Sequence, residues 1–349
     1  MKLQRYKPRT FQGFTLVELM VALTIGLVIM AAVSTLFVSS KRTYTSQDQL
    51  SRLQENARFA MHFIMSDLRL AGYYGCLDDV TNENVFSAVN STALAYTVNQ
   101  SAVEGLENAT GNWLPSGISS VPTSIHAGTD AILIRMADPA ASAALTTRMA
   151  NESAVLTVGS TANFSIGDTV MVADCARADL MQVSGKTGTT LSHATGNPPD
   201  PGNLVATLSK AYDSPASVTK FITRRYYIRD NGLIPSLYSD DNGGTPQEMV
   251  QGIEQLQILY GVDTDNPLDG VPNKYVKAAS VSATNATYGW NAVVTVRIGI
   301  IARTLDDKDT VLDNRVYDVD GDGSTDLPAQ NDRYKRRVFQ ATVQLRNML

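Results

Sequence analysis

From Phe14 to Val38 the chain runs for 25 residues with a single ionisable side chain, Glu18. As a helix rising roughly 1.5 Å per residue, that run is about 37 Å long against a hydrocarbon core of about 30 Å, so it is long enough to cross a bilayer. A secretory leader cleaved after a small residue such as Ser34 would carry an apolar stretch of only about 7 to 15 residues. Further on, Leu50, Leu53, Ala57, Met61, Ile64, Leu68 and Ala71 recur at steps of three and four, which makes one apolar face. Arg52, Glu55, Arg58, His62, Asp67 and Arg69 are expected on the other faces, and no proline interrupts the chain between Phe14 and Gly72. The pattern predicts one helix of about 58 residues, roughly 87 Å long, ended by Gly72 and Gly75. A free coiled coil would show the same stripe, but the β-rich remainder offers a surface for the stripe to cover.

From about Cys76 the composition shifts to Ser, Thr, Ala, Val and Gly in short alternating runs. Residues 87–128 read as long surface loops, and short strands are expected near 130–136 and within 168–195, with Ser184-Gly185 and Thr187-Gly188 marking a turn. Lys220 to Arg229, then Asp230-Asn231-Gly232, then Leu233 to Tyr238 is a hairpin signal. Three later runs alternate well: Leu256, Ile258, Tyr260 and Val262; Val294, Val296, Ile298 and Ile300; Phe339, Ala341, Val343 and Leu345. They predict antiparallel strands with one face against the helix, hence an α+β fold.

Composition narrows the partners. The 349 residues are 44% hydrophobic, enough for one large core or two smaller ones. The net charge is −5; without the first 13 residues, which hold Lys2, Arg5, Lys7 and Arg9 and no acid, it is −9. An acidic chain with no basic stripe interleaved with aromatics argues against nucleic acid as partner. Those four leading charges face only Lys41 and Arg42 on the far side of the apolar run, which favours a cytoplasmic start and places the bulk outside.

The junction Gly13-Phe14-Thr15-Leu16-Val17-Glu18, where the basic leader stops at a glycine and the apolar run begins at once, resembles a type IV prepilin signal. The resemblance implies cleavage after Gly13 by a prepilin peptidase and methylation of Phe14. It also implies that Glu18, at the fifth mature position, pairs with the N-terminal amine of a neighbouring subunit and sets the stacking register. A carboxylate in an apolar helix is costly, so some partner should offset it. Snorkelling of Glu18 to the interface is the plainer alternative.

Further landmarks are similar to PilW-type minor pilins. They are Asp67-Leu-Arg-Leu-Ala-Gly-Tyr-Tyr-Gly-Cys76, Gly167-Asp168 through Asp174-Cys175, Tyr260-Gly-Val-Asp-Thr-Asp265, Trp290 with Val293 to Gly299, and Gln344-Leu-Arg-Asn347. This resemblance spans most of the chain and is loose over 80–160. It implies a pilin fold related to the J-type minor pseudopilins of type II secretion. The expected organisation is a leader at 1–13, a transmembrane helix at 14–40, its extramembrane continuation at 41–75, a β-rich insert at 76–220 and a C-terminal antiparallel sheet at 221–349. The implied partners are other minor pilins, the major pilin, a tip adhesin and the prepilin peptidase, first at the inner membrane with the outer domain in the periplasm and then in a pilus at the cell surface.

Cys76 and Cys175 are the two cysteines, both on the expected outer side and neither in a Cys-x-x-Cys pair. A disulfide closing about 98 intervening residues is expected in an oxidising compartment, against two buried thiols. Asp318, Asp320, Asp322 and Asp326 fall at positions 1, 3, 5 and 9 of a calcium loop of EF-hand kind with Gly323 at 6, but Ala329 stands at 12 in place of the bidentate acid. Calcium there and a solvated acidic turn both fit, and no cofactor is otherwise required. Asp263, Asp265 and Asp269 form a looser cluster.

Catalytic signals fail one by one. Gly185-Lys186-Thr187 has Leu180 where a phosphate loop needs glycine. His62, His126 and His193 are the histidines available, and neither Gly-x-Ser-x-Gly nor His-Glu-x-x-His occurs. Triplets such as those at Asn90, Asn108 and Asn285 are expected by chance in so Ser/Thr-rich a chain. The sequence therefore reads as an assembly protein and not an enzyme. The rivals are a minor pseudopilin of a secretion or DNA-uptake system, a calcium-dependent surface adhesin and a membrane-anchored hydrolase.

Overall fold

The computed structural model describes residues 13–77, 84–90, 101–109, 124–196, 202–230, 232, 234–265, 267, 269–281, 288–307, 309 and 311–347. The charged leader residues, much of the expected 87–128 loops, Asn231 and Leu233 of the hairpin signal, and Asn285 lie outside the described residues.

The helix α1 (Leu16–Leu70) comes first. It is followed by β1 (Val85–Ser87), β2 (Val103–Leu106), β3 (Ala131–Thr147), β4 (Leu156–Val158), β5 (Thr169–Asp174), β6 (Arg177–Gln182), β7 (Gly185–Thr187) and β8 (Thr190–Ser192). Then come β9 (Ser217–Asp230), β10 (Pro235–Asp241), β11 (Gln247–Gln251), β12 (Ile253–Val262), β13 (Lys274–Val276), β14 (Val293–Arg303) and β15 (Arg336–Gln344).

The chain divides into two compact units, Met1–Ser51 and Arg52–Leu349. In the first, the apolar part of α1 leaves its side chains exposed, from Leu16 at 75% to Phe37 at 70%. It is long and apolar enough to cross a membrane. The helix has 55 residues, a little shorter than the apolar pattern suggested, because it is capped from Thr15 at one end and stopped by Gly72, at φ +71, at the other.

In the second unit, the remainder of α1 buries Leu53, Ala57, Ala60, Met61, Ile64 and Leu68. They meet Leu256, Ile258, Tyr260 and Val262 of β12, Val296, Ile298 and Ile300 of β14, and Val343 with Leu345 at the end of the chain. The period-two patterns assigned these residues to the inward face together with Phe339 and Ala341, which are partly buried against the same core, and Val294, whose place Val293 takes. They sit in a four-stranded antiparallel sheet of order β13-β12-β14-β15. Ile132, Ile134, Tyr226, Ile228 and Leu237 of the second sheet close the same core.

That second sheet has eleven described strands along β1-β6-β5-β9-β3-β4-β8-β7, with β10 and β11 joined through β9 and β2 added to β3. Its pairings are antiparallel except for β1 with β6. β9 organises it: one flank carries β3, and the other carries first β5 at 217–220 and then β10 at 224–230. Two expectations change here. The expected boundary at 220/221 falls inside β9, which binds the insert and the hairpin into one sheet. The strand foreseen at 130–136 continues as β3 to Thr147, with its register shifting between Asp138 and Ser142, where Pro139 has no N–H to give to the ladder.

Candidate functional site

The N-terminal junction is built from local chemistry. Thr15 Oγ1 accepts from the Glu18 N–H at 3.3 Å, while Glu18 Oε2 accepts from the Thr15 N–H at 3.0 Å and from its hydroxyl at 2.9 Å. This is a capping box, in which two groups left open by the first helical turn satisfy each other. Glu18 thus has an intramolecular partner within its own subunit, one that the sequence reading did not anticipate although Thr-x-x-Glu is legible. A Cβ built on Gly13 meets nothing within 4 Å, and its φ is not in the left-handed region. Neither packing nor backbone geometry in this chain asks for glycine there.

At the far end of α1 four segments converge. The Gly72 N–H donates to Arg135 O at 3.0 Å, the Ala137 N–H donates to Tyr73 O at 2.8 Å, and Asn347 Nδ2 donates to Ala71 O at 3.1 Å. Cys76 and Cys175 are joined as a disulfide with their Cα atoms 4.7 Å apart, fixing the helix exit to the end of β5. Three stretches quoted above for their resemblance, 67–76, 167–175 and 344–347, therefore meet around one joint.

Asp67, expected on an outer face of the helix, is instead buried at 7% exposure. It accepts from Tyr226 Oη at 2.6 Å and from Arg224 Nη1 at 3.0 Å, and Arg224 also holds Asp241 with Nε and Nη2 at 2.6 and 2.8 Å. The hydrogen bond to Asp241 first, and the nearby carboxylates after it, raise the Arg224 guanidinium above its ordinary value. Burial, and then Asp67, raises the Tyr226 phenol. An open groove of about 530 Å³ lies over this cluster, bordered by His62, Phe63 and Ser66 of the helix and by Gln247 and Met249 of β11.

The acidic loop rests on the outer face of the four-stranded sheet, where Val319 packs with Ile301, Tyr317 and Leu327. Carboxylate oxygens of Asp318, Asp320 and Asp326 come within 4.8 Å of one another. Asp322, the fourth expected ligand, is turned to Ser324 and to Lys277 Nζ at 3.3 Å. Backbone N–H groups of Gly321 and Gly323 donate to Asp318, that of Asp322 to Asp320, and that of Val319 to Asp326. Burial, then repulsion from Asp326 and Asp322, pushes Asp320 up to about 6. An isolated bridge between Tyr317 and Leu327 closes the loop, and no helix flanks it among the described residues. Asp263, Asp265 and Asp269 also lie close together, but Asp263 takes the N–H groups of Asp265, Asp269 and Gly270, as a turn staple does.

The catalytic decoys are structurally committed. Lys186 Nζ donates to Phe164 O at 2.7 Å, His193 is buried against Ala154 O, and His126 pairs with Asp230.

Comparison with known families follows the two ends of the molecule. Residues 8–34 match the prokaryotic N-terminal methylation motif, which covers Gly13, Phe14 and Glu18. That motif opens a long apolar helix, and a mostly antiparallel sheet body follows, an arrangement consistent with the pilin fold. Residues 225–347 match the type IV pilus-assembly protein W family, and the two matches together support a PilW-type minor pilin. The landmarks at 67–76 and 167–175 lie outside both matches. No curated protein and no solved structure matches the chain.

Proposed function

We propose that this membrane-anchored chain is a minor pilin that helps to initiate type IV pilus assembly, in a tip complex with other minor pilins and a tip adhesin. The observation that carries the reading is the methylation motif at 8–34 on an apolar helix whose side chains are exposed, in a chain whose outer body carries the pilus-assembly match. In this proposal a prepilin peptidase cleaves after Gly13, and Phe14 becomes the methylated N-terminus. The glycine suits a protease that grips extended backbone, in keeping with its having no packing role in the chain. Glu18 leaves its bond to Thr15 and pairs with the terminal amine of a neighbour, which sets the register of α1 in the filament. The outer body offers protein-binding surfaces, the groove beside Asp67 and Arg224 among them. Both matched families are structural pilus components, in keeping with a role in assembly and not in turnover.

Intact-mass and N-terminal analysis of the protein from cells with and without the peptidase tests the first step: a product beginning at methylated Phe14 is expected only with the peptidase. Glu18→Ala is expected to spare cleavage and to lower pilus number. Unchanged piliation would remove the register role, and lost protein secretion with intact pili would move the chain to a secretion pseudopilus.

A further inference from the structure

β15 ends the four-stranded sheet, with β14 on one side and no described strand on the other. Five other strands have a single described partner, β1, β2, β7, β11 and β13, and they are three to five residues long against nine for β15. Register fixes which groups of β15 are open. The Leu345 N–H donates to Val294 O and the Thr304 N–H to Lys335 O, both at 2.9 Å, so the odd-numbered residues from 335 to 345 turn their main chain toward β14. The main-chain groups of Val338, Gln340, Thr342 and Gln344 therefore point away from the sheet, and no described residue takes them. From Val338 to Gln344 this open edge is roughly 20 Å long, at about 3.4 Å per residue. Unpaired N–H and C=O groups in such a row are a template for another strand.

The flanks of the edge define what fits along it. On the helix side Phe339 and Ala341 are only partly buried, whereas Val343 and Leu345 are taken fully into the core. Every second residue of an added strand would cover them. On the opposite side Val338 packs beside Val319, and Gln340 Nε2 donates to Val319 O at 2.9 Å, so the acidic loop overhangs the strand. Positive charge stands at the two ends. Arg333 and Arg337 at the start and Arg346 just past the end are exposed, and no described carboxylate meets their guanidinium groups. Lys335, between the first two, is already held by Asp309 at 3.7 Å. Two copies of β15 paired antiparallel about Gln340 would set the Arg346 end of each against the Arg333–Arg337 end of the other. A parallel pair would set each arginine beside its own copy. Like charges directly opposed destabilise a strand pair, so the edge rejects a second copy and favours an acidic partner.

We infer that the open edge of β15 is a docking site for an extended segment of a partner protein, which joins the sheet as a fifth strand with apolar residues at alternate positions and carboxylates at its ends. Main-chain bonds to Val338, Gln340, Thr342 and Gln344 hold the segment, its apolar residues cover Phe339 and Ala341, and its acids meet Arg337 and Arg346. Its residues beside the acidic loop are uncharged, because Asp318 and Asp320 would repel an acid there. The site stands whether or not the chain works in a pilus, since it needs only a partner that presents such a segment.

Hydrogen exchange read by mass spectrometry on the full chain in detergent tests this, with a synthetic peptide as long as β15 that alternates valine and threonine and carries aspartate at both ends. At about millimolar peptide, residues 338–344 are expected to gain protection at about four amides, while β12 and β14 do not change. N-methylation of alternate peptide amides should abolish the protection in one phase and spare it in the other. Arg337→Glu should weaken binding of this peptide about threefold and strengthen that of a lysine-ended counterpart. Thr342→Pro removes one outward N–H and no bond to β14, and should weaken binding about fivefold; if it does not fold, the methylated peptides decide. No gain in protection, equal binding of the two methylated phases, or equal affinity for the two charge types would overturn the site. Self-association that protects 338–344 without peptide would assign the edge to a second copy and overturn it as well.

Discussion

The side-chain amide of Asn347 donates to the carbonyl of Ala71 at 3.1 Å, so the segment after the last strand caps the last turn of α1 across 276 positions of chain. Gly72 makes the joint feasible. A Cβ there would stand 3.0 Å from Asn347 O and 3.3 Å from Ala102 Cβ, and the backbone is already at φ +71.

Gly72→Ala should therefore destabilise the sheet body by about 1–3 kcal/mol, the left-handed penalty plus crowding. Gly188, at φ +58 with nothing within 4 Å, supplies the control: alanine there should incur only the backbone penalty. Denaturant unfolding of both variants in detergent separates the two contributions; equal losses would mean that the crowding at Asn347 is relieved at no cost.

Cys76 and Cys175 close a loop with a sequence separation of 99. Replacing both with serine should lower stability by up to about 4.7 kcal/mol in the chain-entropy account. The same melting shift should follow reduction of the wild type, and reductant should leave the double variant unchanged.

Arg336 has no exposed side-chain surface and binds Glu254 at 2.6 Å and Asp332 at 2.6 Å, with Asp313 at 3.3 Å. Arg336→Met leaves a cluster of carboxylates without its main cation and should destabilise by about 3–5 kcal/mol. The bond from Arg336 holds Asp332 below the ordinary aspartate value. That stabilisation is present above the unfolded value of 3.8 and is lost as pH falls through the folded one, so the deficit of the variant should be smaller near pH 3 than at pH 7. Melting at the two pH values checks the sign.

Gly299 lies under the acidic loop, and a Cβ there would stand 1.9 Å from Val319 O. Gly299→Ala should lift the loop from β14 and β15, breaking the bond from Gln340 Nε2 to Val319 O, which is 2.9 Å long. Limited proteolysis should then cut near Gly321–Gly323 in the variant and spare the wild type, while far-ultraviolet circular dichroism stays close to wild type.

Legibility followed how local each signal was. The stripe from Leu53 to Leu68 and the three alternating runs are written in steps of two, three and four residues, and they lie in or against the core where their period put them, except Val294, whose place Val293 takes at the register shift beside Val262. The hairpin of β9 and β10 was legible from its turn, whereas the second role of β9, holding β3 and β5, depends on partners 44 to 94 positions away that no local pattern encodes. Asp67 shows the limit most clearly. Helical spacing gave it an outward direction, but Tyr226 and Arg224 stand ready to neutralise it, so its burial depends on residues 157 and 159 positions on. At the candidate site the Thr15 and Glu18 pairing is a four-residue motif that could have been read, while the turn of Asp322 toward Lys277 could not.

The joint at Ala71 and Asn347 also orders events in time. A ribosome delivers the end of α1 276 positions before the amide that caps it, while the two cysteines are both available once residue 175 has been made. A nascent chain can thus be stapled at the helix exit long before that exit is sealed, and during the interval the stripe from Leu53 to Leu68 has no finished sheet to cover it. Any factor that shields that stripe would be needed only until residue 347 emerges, so a chain halted short of it should remain a client after its disulfide has formed.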